Sequence, residues 1–402
     1  MPSLRPARHR RIAIGLATAA LLASSTTAPA GAGPADDRFE QLDGPMAPFV
    51  VRPEQFGMDP ARTLVAVEPL LDRVDGDRAL SLVESLAFPR SAYGPESARQ
   101  QARDLVSAAF VDAGYQPSSQ SVVYEPTGID SPNLWADLPG TECPGKVLVV
   151  GGHYDSVEDG PGADDNASGV AGMIEVARAL RDTPLPVTAR LAAWSYEEVG
   201  LVGSGEMARQ MAADGTEVVG AIAFDMIGFT KPGIDPLTGF TNDYLAMVAD
   251  PSSAAVARAF GAAAYHYTPE FAAAGAVIDP AVLGDILRSD HAAFLAQGYT
   301  AMLVTDTGDF RNPNYHTPAD TPDTLDPAFL AGSIRSTLAG LVTYASSDQD
   351  GDGRSDLCHP PAPTEPPETE VPTDGRPEPT PATSPAPAPA ATARRASPAY
   401  TG

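Results

Sequence analysis

One stretch constrains the fold more than any other, VLVVGGHYDSVEDGPGADDNASGVAG, residues 147–172. Four aliphatic residues in a row read as a strand buried on both faces, and such a strand needs helices above and below its sheet. The run then breaks at two glycines and delivers His153 to its end. Asp164 and Asp165 follow where a helix begins. A strand that ends in a histidine, with carboxylates at the start of the next helix, is how an α/β fold presents metal ligands.

The chain on either side repeats this alternation. A short helical pattern covers residues 75–86, and a longer one from Pro95 puts Ala98, Ala102, Leu105 and Ala109 on one face, with Gly114 as its stop. Residues 120–124 and 133–138 read as short strands at a hairpin-like edge. Strands at 146–151, 187–194 and 218–224 then alternate with helices at 168–180 and 204–213. A further strand at 244–248, a helix at 253–264, a short helix at 292–296 and a strand at 301–305 follow. Residues 266–287 show no period and read as a surface loop or lid near the site. A last helix starts at Asp326, a suitable N-cap followed by Pro327, and turns Leu330, Ile334, Leu338 and Leu341 to one side. The expected fold is a three-layer αβα sandwich with a mostly parallel, twisted central sheet, its catalytic domain spanning residues 75–345.

The ends carry different information. Residues 1–30 combine Arg5, Arg8, Arg10 and Arg11, an apolar segment and Ala28-Pro29-Ala30, the plan of a secretory signal peptide too short to span a bilayer. A secreted, extracellular protein without a membrane span is expected. Residues 31–74 read as a propeptide or an N-terminal arm. The only cysteines, Cys143 and Cys358, would meet an oxidising environment, either as a disulfide or as two thiols. Residues 348–359 place Asp348, Asp350, Asp352 and Asp356 in a DxDxDG pattern that resembles short calcium-binding repeats, although His359 stands where an EF-hand has its glutamate. Residues 360–402, rich in Pro, Ala and Thr, cannot bury a core and read as a disordered tail. The formal charge of −26 repels phosphate backbones and excludes nucleic acid as a partner.

The strand ends concentrate the chemistry. His153, the pair Glu197 and Glu198, and Asp225 each follow a predicted parallel strand. Asp165 opens a helix, and His316 lies in the late loop NPNYHTPADT. A doubly wound sheet gathers such loops at one edge. Two histidines and four carboxylates there suit two zinc ions about 3.5–4 Å apart, bridged by a carboxylate and activating one water.

The segments GGHYDS, PGADDNASG, SYEEVGLVGS, AFDMIG, RSDHAAF and NPNYHTPADT, in this order, resemble the di-zinc peptidase family of secreted bacterial leucyl aminopeptidases, aminopeptidase Y and glutamate carboxypeptidase. The resemblance implies an exopeptidase acting on peptide or protein N-termini; a monomer is expected, although the sequence itself leaves the oligomeric state open. It implies that His153 and Asp225 hold one zinc, Glu198 and His316 the other, and that Asp165 bridges them. It makes Glu197 the general base, which takes a proton from the attacking water and passes it to the leaving amine. It places Tyr315 at the oxyanion and Arg288 at the substrate site. Asp164 is expected to be a surface or capping residue, Asp290 a support for the metal ligands, and His291 structural. A carboxypeptidase is the nearest alternative, because the same metal pair serves both activities. A glutaminyl cyclase shares the architecture but uses one zinc, and the intact Asp165-Asn166 argues against it. A receptor that has lost its ligands conflicts with the complete set, and a calcium-dependent attachment protein leaves the zinc set unexplained.

Overall fold

The structure is a computed structural model that describes residues 47–233 and 243–361. The predicted signal peptide, the start of the arm and nearly all of the tail lie outside the described residues.

In chain order the strands are β1 (Ser118–Gln120), β2 (Val123–Tyr124), β3 (Ile129–Asp130), β4 (Asn133–Leu138), β5 (Cys143–His153), β6 (Val187–Trp194), β7 (Glu217–Phe224), β8 (Leu245–Ala249), β9 (Ala273–Val277) and β10 (Ala301–Thr305). The helices are α1 (Glu68–Leu71), α2 (Gly76–Leu86), α3 (Glu96–Asp112), α4 (Gly169–Leu180), α5 (Val202–Ala213), α6 (Ala254–Tyr267), α7 (His291–Leu295) and α8 (Pro327–Ser346). Eight strands form one sheet in the order β1-β4-β6-β5-β7-β10-β8-β9. Its centre, β6-β5-β7-β10, is parallel throughout, while β1, β4 and the β10-β8 pairing are antiparallel.

Alternation along β5 shows why there are three layers. Leu148 and Val150 join the large core formed with α2, α3, α4, α6 and α8. Val147 and Val149 face the other way, onto Met207, Ala208 and Met211 of α5 and Phe294 of α7. Each residue of a central strand is thus covered by one helical layer or the other, so the sequence shows no polar face. Asp326 caps α8 as expected, accepting from the amides of Ala328 and Phe329, a cap whose loss costs about 1 kcal/mol.

Three expectations need correction. The buried face of α3 runs through Arg99, Ala102, Val106, Ala109 and Phe110, rotated from the predicted one because Arg99 folds inward onto the carbonyls of Ser91, Ala92 and Gly94. The strand predicted at 120–124 is two pieces, β1 on the main sheet and β2 in a separate ribbon with β3. The loop predicted at 266–287 contains β9, parallel to β8 at the sheet edge. Its sequence, AAGAV, is too uniform in size and polarity to show a strand period.

The N-terminal arm is packed on the domain. Val51 N–H donates to Gly275 O at 2.8 Å and Leu64 N–H to Ser346 O at 2.8 Å. Cys143 and Cys358 form a disulfide, which pins the segment after α8 to the start of β5. In that segment Asp348, Asp350 and Asp352 bring carboxylate oxygens within 4.8 Å of one another. Asp356 instead accepts from Ser347 Oγ and the Gln349 amide. No described helix is long and apolar enough to cross a membrane.

Candidate active site

The C-terminal ends of β6, β5 and β7 lie side by side, with His153 in register with Trp194 and Gly151 with Ala223. His153 ends β5; Glu197 and Glu198 follow β6; Asp225 follows β7. Tight packing requires the two glycines before His153. A Cβ on Gly151 would sit 2.3 Å from Ala192 O and 2.6 Å from the Trp194 ring. Asp165 comes from the turn before α4. Asp320 shapes that turn by accepting from the amides of Asp164 and Asp165 at 2.9 and 3.1 Å. Asn166 ties the turn to β7: its Nδ2 donates to Phe224 O at 2.8 Å, and its Oδ1 accepts from Met226 N–H at 3.3 Å. His316 arrives from the loop after β10 in a left-handed conformation, φ 56°, which non-glycine residues hold where the surroundings enforce it.

All six predicted metal-centre residues meet. His153 Nε2 lies 3.3 Å from Asp165 Oδ1 and 3.7 Å from Asp225 Oδ1. His316 Nε2 lies 3.1 Å from both Asp165 Oδ2 and Glu198 Oε2. Two three-residue groups therefore share Asp165, which offers one oxygen to each. Donors held 2.0–2.1 Å from a tetrahedral zinc stand about 3.3–3.4 Å apart, and these separations bracket that value. Glu197 Oε2 is 3.9 Å from His153 Nε2.

The electrostatics call for a cation. His153 Nε2 and Glu198 Oε1 are buried and make no hydrogen bond among the protein's own groups, a costly arrangement unless something else coordinates them. Burial pushes the Glu198 carboxyl up to about 7, helped by Asp165. Burial likewise holds Glu197 well above the usual carboxylate range. Burial would also raise Asp165, but the imidazoles of His153 and His316, 3.3 and 3.1 Å from its oxygens, outweigh it and keep Asp165 ionised. His316 is driven up to about 10, because Asp165 and Glu198 overcome its desolvation. Two imidazoles facing Asp165, Glu197, Glu198 and Asp225 leave surplus negative charge, which zinc would neutralise.

A cavity of about 140 Å³ opens beside this cluster. Its apolar wall comes from alternate residues of β8, β9 and β10, among them Ala246, Val248, Ala274, Ala276 and Leu303. At its mouth Arg288 Nη2 donates to Tyr315 Oη at 2.9 Å, and Arg288 Nη1 contacts Asp285 and Asp309. The Tyr315 ring stacks on His316 at 3.7 Å. Burial raises the phenol above its ordinary value, so it stays protonated.

Several supporting residues carried no sequence signal that was used. Asp155 accepts from the amides of Glu197 at 3.1 Å and Glu198 at 3.3 Å, and lies 3.5 Å from His153 Nδ1. Its place two residues after His153, on the same side of an extended chain, was the available clue. Arg90, fully buried, donates to the carbonyls of Leu86, Tyr154 and Gly162. Asp164 is not at the surface: fully buried, it accepts from Gly228 N–H at 3.0 Å and Asn312 Nδ2 at 2.8 Å. Asp290 is fully buried, and burial pushes its carboxyl up to about 7.

Comparison with known proteins agrees with this geometry. The chain is similar to the uncharacterized protein YfbL of Escherichia coli strain K12, 29% identical over 287 residues, 66% of this chain and 85% of that one. It is similar to leupeptin-inactivating enzyme 1 of Streptomyces exfoliatus, 38% identical over 133 residues, but this covers 32% of this chain and only 30% of that enzyme. A probable leucine aminopeptidase of Trichophyton verrucosum is 28% identical over 288 residues, 66% of this chain and 72% of that one. Among solved structures, the aminopeptidase from Aneurinibacillus sp. strain AM-1 shares the fold with a TM-score of 0.54 and 19% identity, over 71% of this chain and 97% of that one. The glutaminyl cyclase of Bacteroides thetaiotaomicron also shares it, with a TM-score of 0.51 and 17% identity over 66% and 97%, so the fold by itself does not choose between the two chemistries. The sequence pattern of Peptidase family M28 matches residues 133–340, a span that holds every residue of the two groups sharing Asp165, and the chain belongs to that family.

Proposed function

We propose that this protein is an extracellular zinc aminopeptidase that removes N-terminal residues from peptides at a two-zinc centre. The observation that carries this reading is the pair of ligand groups sharing Asp165, with Glu197, whose Oε2 lies 3.9 Å from His153 Nε2, in neither of those two. His153 and Asp225 would hold one ion, Glu198 and His316 the other. When bound, zinc supplies Lewis-acid polarisation of the scissile carbonyl and acidifies the attacking water. Glu197, with its proton affinity raised by burial, accepts the water's proton and delivers it to the leaving amine. Tyr315, protonated and positioned by Arg288, donates to the developing oxyanion. The apolar cavity takes the side chain of the residue being removed.

The charge at the mouth disfavours a substrate carboxylate. A carboxypeptidase needs a free cation for the C-terminus, but Arg288, the one guanidinium lining the cavity among the described residues, is already engaged by Asp285 and Asp309. The disulfide and the signal-like start support export. Metal analysis combined with hydrolysis of paired aminoacyl and N-blocked peptides tests the proposal. Two zinc ions per chain and cleavage of free-amine substrates alone are expected; cleavage of N-blocked peptides from the C-terminal end overturns it.

A further inference from the structure

One wall of the apolar cavity does not belong to the catalytic sandwich. The cavity lies on the β8-β9 face at the sheet edge, where Ala246, Ala274 and Ala276 are too short to fill the space between strand and loop. The free edge of β9 is covered by the N-terminal arm. Val50 forms an antiparallel bridge with Ala276, and Val51 N–H donates to Gly275 O at 2.8 Å. This pairing fixes which way the arm's side chains point, because successive residues of an extended segment face opposite sides. Val50 turns into the cavity, 3% exposed and packed with Ala246, Val248, Ala274 and Ile278. The arm is held beyond this contact as well, by the Thr63 bridge to Ser347 and by Asp59 N–H donating to Gln349 Oε1 at 2.8 Å. Residue 50 lies outside the span matched by the family pattern.

We infer that Val50, carried by the N-terminal arm, sets the depth of the substrate pocket and so selects which terminal side chain is removed. The inference rests on the reading of this cavity as the site for that side chain. The cavity of about 140 Å³ is close in size to one of about 150 Å³ that accepts a benzene ring, so a change of one or two methyl groups at its wall decides between aliphatic and aromatic occupants. A methylene more or less in an apolar pocket changes discrimination by at least about tenfold.

The test compares kcat/KM for Ala-, Leu- and Phe-p-nitroanilide in the full zinc-loaded chain and in Val50→Ala and Val50→Ile. Val50→Ala is expected to raise the Phe to Leu ratio by roughly tenfold, and Val50→Ile to lower the Leu to Ala ratio by a similar factor. Circular dichroism and zinc content establish that each variant is folded, and Val50→Ile, adding a single methylene, carries the test if Val50→Ala does not fold. Unchanged ratios in a folded variant overturn the inference. If the wild type cleaves only N-blocked peptides from the C-terminal end, the aminopeptidase reading fails separately. The same ratios, taken with C-terminal Ala, Leu and Phe, then decide the role of Val50.

Discussion

Asp155→Asn is the substitution that most directly probes how the centre is held. The carboxylate accepts two backbone amides at once, Glu197 N–H on Oδ1 and Glu198 N–H on Oδ2, with His153 Nδ1 3.5 Å from Oδ1. Asparagine keeps the shape but has one oxygen, so whichever way it turns, its own NH2 faces one of those two N–H groups. A hydrogen bond to a charged group contributes about 1.5–3 kcal/mol. Losing one displaces Glu197, the proposed base, or Glu198, a proposed zinc ligand, or both, and supports of this kind are worth about 10–100-fold in metal affinity. Zinc affinity measured by competition with a chromogenic chelator should fall by that factor, and kcat should fall with it while the far-ultraviolet circular dichroism is retained. Wild-type zinc affinity together with wild-type kcat would refute the argument that Asp155 positions Glu197 and Glu198.

Other perturbations separate the remaining roles. Glu197→Gln should keep its zinc, because Glu197 is not in either of the two groups that share Asp165, yet lose roughly 10²–10⁴-fold in kcat; near-normal turnover removes it as the base. Replacing Cys143 and Cys358 by serine opens a cross-link of sequence separation 215. Chain entropy sets its contribution at about 5 kcal/mol, so the urea midpoint should fall steeply, and a change under about 1 kcal/mol would contradict the estimate. His291 is fully buried, and burial pushes its imidazole down to about 4. Between an unfolded value near 6.5 and that folded value the unfolded chain binds the extra proton, so His291 costs nothing above pH ~6.5 and costs stability at ~1.4 kcal/mol per pH unit as the pH falls towards 4. His291→Gln should flatten the acid limb of a urea-midpoint profile across that window, and an unchanged slope would show that the imidazole titrates normally.

What could be read from the sequence divides along physical lines. Strands β5, β6, β7 and β10 were visible because a strand covered on both faces must be apolar throughout, and the residues just past them inherit their position from the sheet. That is why His153, Glu197, Glu198 and Asp225 could be placed on one rim before any coordinates. β9 was hidden because alanine and glycine suit strand, helix or loop about equally in a hydropathy pattern, and its role depends on the small volume that left it featureless. Arg99 misled the reading of α3, since a guanidinium counts as polar in any periodicity yet here caps three buried carbonyls. Asp155, Asp320 and Asn166 act through backbone amides and carbonyls of other segments, and no local pattern records such partners. The contact of the arm with β9 joins residues more than two hundred positions apart in sequence, beyond the reach of any window.

The bond between Cys143 and Cys358 has a meaning for durability beyond its energy. Every side chain of the proposed metal sites, from His153 to His316, lies inside the ring it closes. A single cut by a foreign protease in any surface loop of that ring would open the circle but release neither fragment, so both halves of the centre would stay tethered and able to re-seat. Wherever such a chain meets other proteases, damage of that sort would be survivable.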